Sequence, residues 1–204
     1  MTHGIGGSNA AAELAGLAPW PNPAPPIEAA EYAARTEKAR RLMAADGIEA
    51  MLIGAGPSLN YFAGVPWNPS ERLVCMLLHR RHDPILIAPT FELGSLRASL
   101  AIDAAIRTWE EDESPYSLAA DCLKETSVRR LGLDPALSFE IVSRLAEVAP
   151  SIDAVNARAV VDGCRSIKSD AELALMQQAK SMTLEVQRRT ARILRTGITT
   201  TEVR

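Results

Sequence analysis

Arg72-Leu73-Val74-Cys75-Met76-Leu77-Leu78-His79, followed after a short polar turn by Asp83-Pro84-Ile85-Leu86-Ile87-Ala88-Pro89, decides the architecture. Each run is almost continuously apolar and of strand length. Runs of that length and character read as strands. Upstream, Glu49-Ala50-Met51-Leu52-Ile53-Gly54 reads as another short buried strand. The stretch from Glu28 to Gly47 before it is rich in helix formers and ends on a glycine suited to a helix C-terminus. Ser58 to Gly64 reads as a short helix or turn, and Pro66 and Pro69 make Val65 to Arg72 a loop.

Downstream the two patterns keep alternating. Phe91 to Ala101 is helical and Ala104 to Glu110 is strand-like. Ser114-Pro115 pairs an N-cap residue with proline at the first helical position, opening a helix to about Glu125. Arg129 to Asp134 is a strand, Ser138 to Val148 a helix and Ser151 to Ala157 a strand. Strands alternating with helices predict an α/β sheet with helices on its faces. Ser169-Asp170-Ala171-Glu172 then matches a capping box, and Met176, Ala179, Thr183, Val186, Thr190 and Ile193 recur on one face of a long helix behind it. Thr196-Gly197 stops that helix, and Thr199 to Glu202 starts another. A helix start at the last residues suggests a polypeptide that continues beyond Arg204.

Residues 1–26 differ in composition. Five of the thirteen prolines fall between Pro19 and Pro26, which predicts a flexible or extended Pro/Ala/Gly-rich arm. The remainder divides into an α/β domain over residues 27–164 and a segment over residues 165–204 that holds the long linker helix. With 204 residues and 47% hydrophobic content, the chain can bury a core and is not a disordered polypeptide. A net charge of −3 argues against nucleic-acid binding. No apolar run reaches the ~18 residues of a membrane span, and the N-terminus lacks the basic start of a signal peptide. Cys75, Cys122 and Cys164 form no Cys-x-x-Cys pair, which suits a reducing compartment, so the default location is cytoplasmic.

Chemistry-bearing residues are sparse. His3 lies in the arm, and His79 and His82 sit in a turn without a scaffold to converge them on a metal. Glu110-Glu111-Asp112-Glu113 reads as a solvated loop that favours the following helix N-terminus. Gly54-Ala55-Gly56-Pro57 lacks the rest of a dinucleotide fingerprint, and no nucleophile elbow is present. The cysteines read as buried structural thiols. The loop from Val65 to Arg72 is the informative surface, because it sets Trp67, Asn68, Glu71 and Arg72 between two prolines. An aromatic wall beside a guanidinium can bind a carboxylate-bearing ligand. The alternative is that Trp67 plugs the core edge and Glu71 neutralises Arg72.

Three stretches together resemble the N-terminal domain of the creatinase, prolidase and aminopeptidase P family. They are Arg35-Thr36-Glu37-Lys38-Ala39-Arg40-Arg41-Leu42-Met43 with Gly47 to Ile53, Ser58-Leu59-Asn60-Tyr61-Phe62-Ala63-Gly64, and Arg165-Ser166-Ile167-Lys168-Ser169-Asp170-Ala171-Glu172-Leu173. The third is similar to the junction at which that domain hands over to the first helix of a catalytic domain. The resemblance implies a mixed β-sheet flanked by helices, ending in a long linker helix. It also implies a homodimeric parent hydrolase acting on peptides at Xaa-Pro bonds. That parent would use two divalent metal ions (Mn, Co or Zn), held by two Asp, one His and two Glu in a C-terminal catalytic domain. None of those ligands can be placed in this chain, so the chain by itself carries no catalytic residue, metal ligand or cofactor and is expected to be inactive. In the creatinase branch an Asn-Tyr-Tyr stretch leads to a substrate-touching arginine preceded two positions earlier by an aromatic. Asn60-Tyr61-Phe62 matches the start and Arg72 the arginine, but Ser70 replaces the aromatic, which favours a peptidase over creatine recognition. The substrate-binding candidates are therefore Arg72 as a carboxylate clamp, with Trp67 and Tyr61 as walls. Two other readings stay open: a stand-alone α/β binding or assembly module, and a non-peptidase of the same superfamily that cleaves C–N or C–S bonds.

Overall fold

Ala50–Gly54 (β1) is buried at every position, and its side chains alternate between two separate cores. Met51 and Ile53 enter one core, Ala50 and Leu52 the other. Cys75–His79 (β2) and Ile85–Pro89 (β3) repeat this: Met76, Leu78, Leu86 and Ala88 face the first core, and Cys75, Leu77 and Ile87 the second. That two-sided burial is the cause of the continuous apolar runs. A computed structural model describes residues 6–204, so His3 lies outside the described residues.

Around these strands the chain runs through α1 (Ala10–Ala15), α2 (Ala29–Ala45), β1, α3 (Pro57–Ala63), β2, β3, a 3₁₀ turn (Thr90–Glu92) and α4 (Leu93–Ser99). It continues through β4 (Ala105–Trp109), α5 (Pro115–Glu125), β5 (Arg130–Leu133), α6 (Phe139–Val148), β6 (Asp153–Asn156), α7 (Arg158–Arg165), α8 (Asp170–Ile193) and α9 (Thr200–Val203). Among the described residues the six strands form one sheet in the order β4-β3-β2-β1-β5-β6. β2 runs antiparallel to both its neighbours, while the β3–β4, β1–β5 and β5–β6 pairs are parallel. Five strands therefore point one way and β2 alone runs back. The fold is α/β, a mixed sheet flanked by helices.

The chain divides into two compact units, residues 28–167 and residues 168–204 with residues 1–27. In the larger unit, α2, α3 and α7 contribute Ala39, Met43, Leu59, Phe62, Val160 and Cys164 to the first core. α5 and α6 contribute Ala119, Cys122, Leu123 and Leu145 to the second. Phe62 is fully buried, and a side chain of that size contributes about 1.5–3 kcal/mol by leaving water. The three cysteines are free and buried, and burial raises the thiol pKa of each.

In the smaller unit, Ser169 accepts from the Glu172 N–H while the Glu172 carboxylate accepts from the Ser169 N–H, so the capping box opens α8. Thr199 and Glu202 repeat it at α9. The segment read as an arm carries a helix, α1, whose N-cap Asn9 accepts from the Ala12 N–H at 3.0 Å. Arg189 of α8 donates to the carbonyls of Glu13 (2.7 Å) and Gly16 (3.1 Å), so backbone groups at the end of α1 are held by a side chain from α8. No described helix is long and apolar enough to cross a membrane.

Candidate functional site

Because β1, β3, β4, β5 and β6 share one direction, their carboxyl ends gather at one rim, where Gly54, Pro89, Trp109, Leu133 and Asn156 close the strands. β2 begins at that rim, so the loop leading into it lies there too. In open α/β sheets this rim is where ligands bind. Residues 65–74 are held at both ends: Val65 is fully buried, and Leu73 and Val74 are nearly so. Beneath the loop, the Trp109 indole N–H donates to the Leu73 carbonyl at 3.2 Å. Thr90 Oγ1 donates to the Trp109 carbonyl at 3.2 Å. These two bonds tie the rim ends of β2, β3 and β4 together and leave the middle of the loop, Pro66 to Arg72, to face outward.

Two cavities open beside this loop. One, of about 370 Å³, is lined among others by Pro66, Trp67, Glu71, Arg72, Phe91 and Glu92. The other, of about 210 Å³, lies where β1 and β5 end, against Gly54, Ala55, Leu137 and Ser138, and shares Ser70, Arg72 and Val74 with the first. Arg72 thus stands on the wall between them. Trp67 packs partly into the first core and contributes its remainder to the larger cavity. The structure therefore brings Arg72 and Trp67 to one cavity.

Tyr61 lines neither of these cavities. It sits on α3, its hydroxyl donating to the Cys164 carbonyl at 3.0 Å and its ring 4.2 Å from the guanidinium carbon of Arg35. Arg35 in turn donates to the Tyr61 carbonyl at 2.8 Å. Tyr61 thereby ties α3 to α7 and α2. α3 ends at Gly64, whose left-handed φ of 72° turns the chain into the loop.

Arg72 has partners of its own. Its Nε donates to Glu111 Oε1 at 2.9 Å and its Nη2 to Glu111 Oε2 at 3.4 Å, a two-point grip. Its Nη1 donates to Glu71 Oε1 at 2.6 Å. Its guanidinium carbon lies 5.5 Å from the Phe91 ring, a cation–π contact that places Phe91, 62% exposed, as a second aromatic wall. The hydrogen bond from Arg72 holds the Glu111 carboxyl below the usual carboxylate range, and the same bond raises the arginine's pKa. The rim therefore carries a charged guanidinium gripped by the ionised Glu111 carboxylate, with Glu71 as its second acidic partner. Glu111 and Phe91 were not legible as members of this site, because they come from loops after β4 and β3 and only the sheet order brings them to Arg72. Glu113 instead closes the turn before the helix: its carboxylate accepts from the Glu110 N–H at 2.8 Å.

Among the described residues, His79 and His82 form no metal centre with their neighbours. His79 Nδ1 accepts from the backbone N–H groups of Arg81 and His82, both at 2.9 Å, and the two imidazoles lie 4.3 Å apart. Among the described residues no three of His, Cys, Asp and Glu gather closely enough to hold a metal ion.

Comparison with known proteins places the fold. The Creatinase/Prolidase N-terminal domain family matches residues 35–167, more than half of the chain. An uncharacterized peptidase of Schizosaccharomyces pombe is 27% identical over 199 residues, 91% of this chain and 43% of its own length. Among solved structures, the dipeptidase PepE from Mycobacterium ulcerans superposes with a TM-score of 0.72 at 24% identity, over 88% of this chain and 48% of that one. The Creatinase/Prolidase N-terminal domain of an X-Pro dipeptidase from Streptococcus pyogenes superposes with a TM-score of 0.56 at 19% identity, over 64% of this chain and 98% of that one. The chain spans less than half the length of the curated relatives it matches.

Proposed function

The chain belongs to the creatinase/prolidase N-terminal domain family, and on that premise we propose that it is the non-catalytic, site-shaping domain of an Xaa-Pro dipeptidase-like metallopeptidase. One observation carries the reading: the family match fills the α/β unit, while the peptidase and dipeptidase relatives run to about twice the chain's length. In this proposal residues 27–164 form the domain, residues 1–26 its N-terminal arm, and residues 165–204 the linker helix leading to a C-terminal catalytic domain. The parent is a homodimer in which this domain faces the partner's reaction centre.

Two divalent ions would supply the parent with an activated water. The described residues of this chain do not fit such a pair, since no three candidate ligands converge, and no catalytic step is assigned to them. Their contribution is binding. The loop is stiffened by Pro66 and Pro69 and anchored through Val65 and Leu73, so its side chains present a fixed surface. Arg72 offers a planar donor set to the carboxylate that ends a dipeptide, and a bidentate carboxylate pair fixes orientation as well as charge. Trp67 and Phe91 flank it as apolar walls that suit a proline ring and exclude water. Tyr61, the third candidate, lies outside this cavity and enters the proposal as the anchor of the helix that leads into the loop.

The reading frame through the codon for Arg204 tests the assignment. It should continue for about two hundred residues, an ordinary domain length, and carry the two Asp, one His and two Glu. A stop codon there would contradict the proposal. In the intact polypeptide, Arg72→Ala should raise KM for Ala-Pro by about tenfold or more with little change in folding, as loss of a charged hydrogen bond would. Unchanged kinetics would dismiss the clamp.

A further inference from the structure

The larger rim cavity contains a conflict between its charge and the role given to Arg72. A residue meant to seize a substrate carboxylate already holds one side-on, through Nε and Nη2, and a second through Nη1. Glu92 also lines the cavity. An incoming anion meets a guanidinium whose charge is more than balanced by its neighbours, so it gains little unless one of them leaves.

Glu71 is adjacent to Arg72 in the chain and stays near it whatever the loop does. Glu111 is different. It reaches Arg72 across 39 positions of sequence, from an exposed turn between β4 and α5, and its side chain is 60% exposed. No other side-chain bond of Glu111 is formed among the described contacts of this turn, whose closure rests instead on Glu113. Glu111 can therefore swing into water while the turn keeps its shape. Its grip on Arg72 uses the Nε–Nη2 edge, one of the two edges from which a guanidinium gives a carboxylate two parallel hydrogen bonds, and Glu71 already takes Nη1 of the other.

We propose that Glu111 is an internal competitor for the Arg72 fork: a carboxylate that occupies it in the free protein and must be displaced by the carboxylate of the ligand. This rests on the reading of Arg72 as a carboxylate clamp. Displacement exchanges one carboxylate–guanidinium pair for another, so ligands without a carboxylate cannot make the exchange and are held off the fork. The cost to a carboxylate ligand is modest, because an exposed pair is weak. Glu111 therefore weakens every ligand that uses the fork by the same amount and leaves untouched those that bind without it.

The test is made in the intact polypeptide with Ala-Pro and Ala-Pro amide, which differ only in the terminal carboxylate. Wild type, Glu111→Gln, Arg72→Ala and the double variant are compared, with circular dichroism as a check on folding. Glu111→Gln should lower KM for Ala-Pro by about two- to fivefold, the scale of an exposed ion pair. It should leave the amide unchanged and have no effect in the Arg72→Ala background. Added sodium chloride should shrink the wild-type difference, since screening weakens the internal pair. If Arg72→Ala raises KM for Ala-Pro while Glu111→Gln raises it too, or leaves it alone, Glu111 is a support or a bystander and the proposal is overturned. If Arg72→Ala has no effect on Ala-Pro, the clamp itself is wrong and the role of Glu111 goes with it.

Discussion

Gly64 is the hinge that aims the Arg72 loop, and its replacement by alanine gives a measurable consequence of that geometry. Gly64 closes α3 in the left-handed region with φ 72°. A Cβ built there would come within 2.5 Å of the Ala101 Cβ and 3.2 Å of the Tyr32 hydroxyl oxygen. Ala101 cannot retreat freely, because its N–H donates to the Ala63 carbonyl at 2.9 Å, one residue before the hinge. Two costs therefore add in Gly64→Ala. The left-handed conformation costs an L-residue about 1–2 kcal/mol, and forcing a methyl into a filled site costs about 1–3 kcal/mol. The smaller unfolded-state entropy of alanine returns about 0.4–1 kcal/mol. Gly47→Ala separates the terms: φ there is 69°, but nothing lies within 4 Å of the added methyl. Urea unfolding followed by tryptophan fluorescence should show Gly64→Ala less stable than Gly47→Ala by the crowding term, about 1–3 kcal/mol. Equal loss in the two variants would refute the claim that Ala101 and Tyr32 close tightly over this hinge.

Two further outcomes follow from local chemistry. His79 is pushed down to about 4, mainly by burial and then by His82 and Arg80. Its native form binds fewer protons than the unfolded chain, so stability present above pH 6.5 is lost as pH falls from there toward 4. His79→Asn, which keeps an acceptor for the two N–H groups of the β2–β3 turn, should flatten that dependence in urea midpoints measured at pH 7 and pH 5; an unchanged slope would assign the pH effect elsewhere. Ser169→Ala removes the cap of α8 and should cost its first turn about 1 kcal/mol, read as faster amide exchange at Glu172; unaltered exchange would mean that the cap contributes nothing there.

What could be read from the residues was what is local. The continuous apolar runs of β1, β2 and β3 are legible as strands, and the structure shows why they are continuous: their side chains alternate between two cores. Both capping boxes, and the Ser114 cap of α5, span four residues and so are visible in sequence. α7 escaped because it has eight residues and no side-chain cap, and Val160, Val161 and Cys164 alone carry its buried face. α1 escaped because Asn9 caps a helix inside a glycine- and proline-rich composition. β3 begins at Ile85, since Pro84 has no N–H to give the ladder, although its carbonyl accepts from Ala105. Arg72 and Trp67 stood out because the prolines around them stiffen their loop. Glu111 and Phe91 did not, because their meeting with Arg72 depends on strand order and on β2 running against the rest, and no four-residue window contains that information.

The central claim is that these residues shape a reaction centre whose metal cage they do not supply. Calorimetric titration of the 204-residue chain with manganese, run beside an Ala-Pro hydrolysis assay, addresses it most directly. The account predicts no saturable one- or two-site uptake and no proline release. Stoichiometric, tight manganese binding accompanied by Ala-Pro turnover would contradict it.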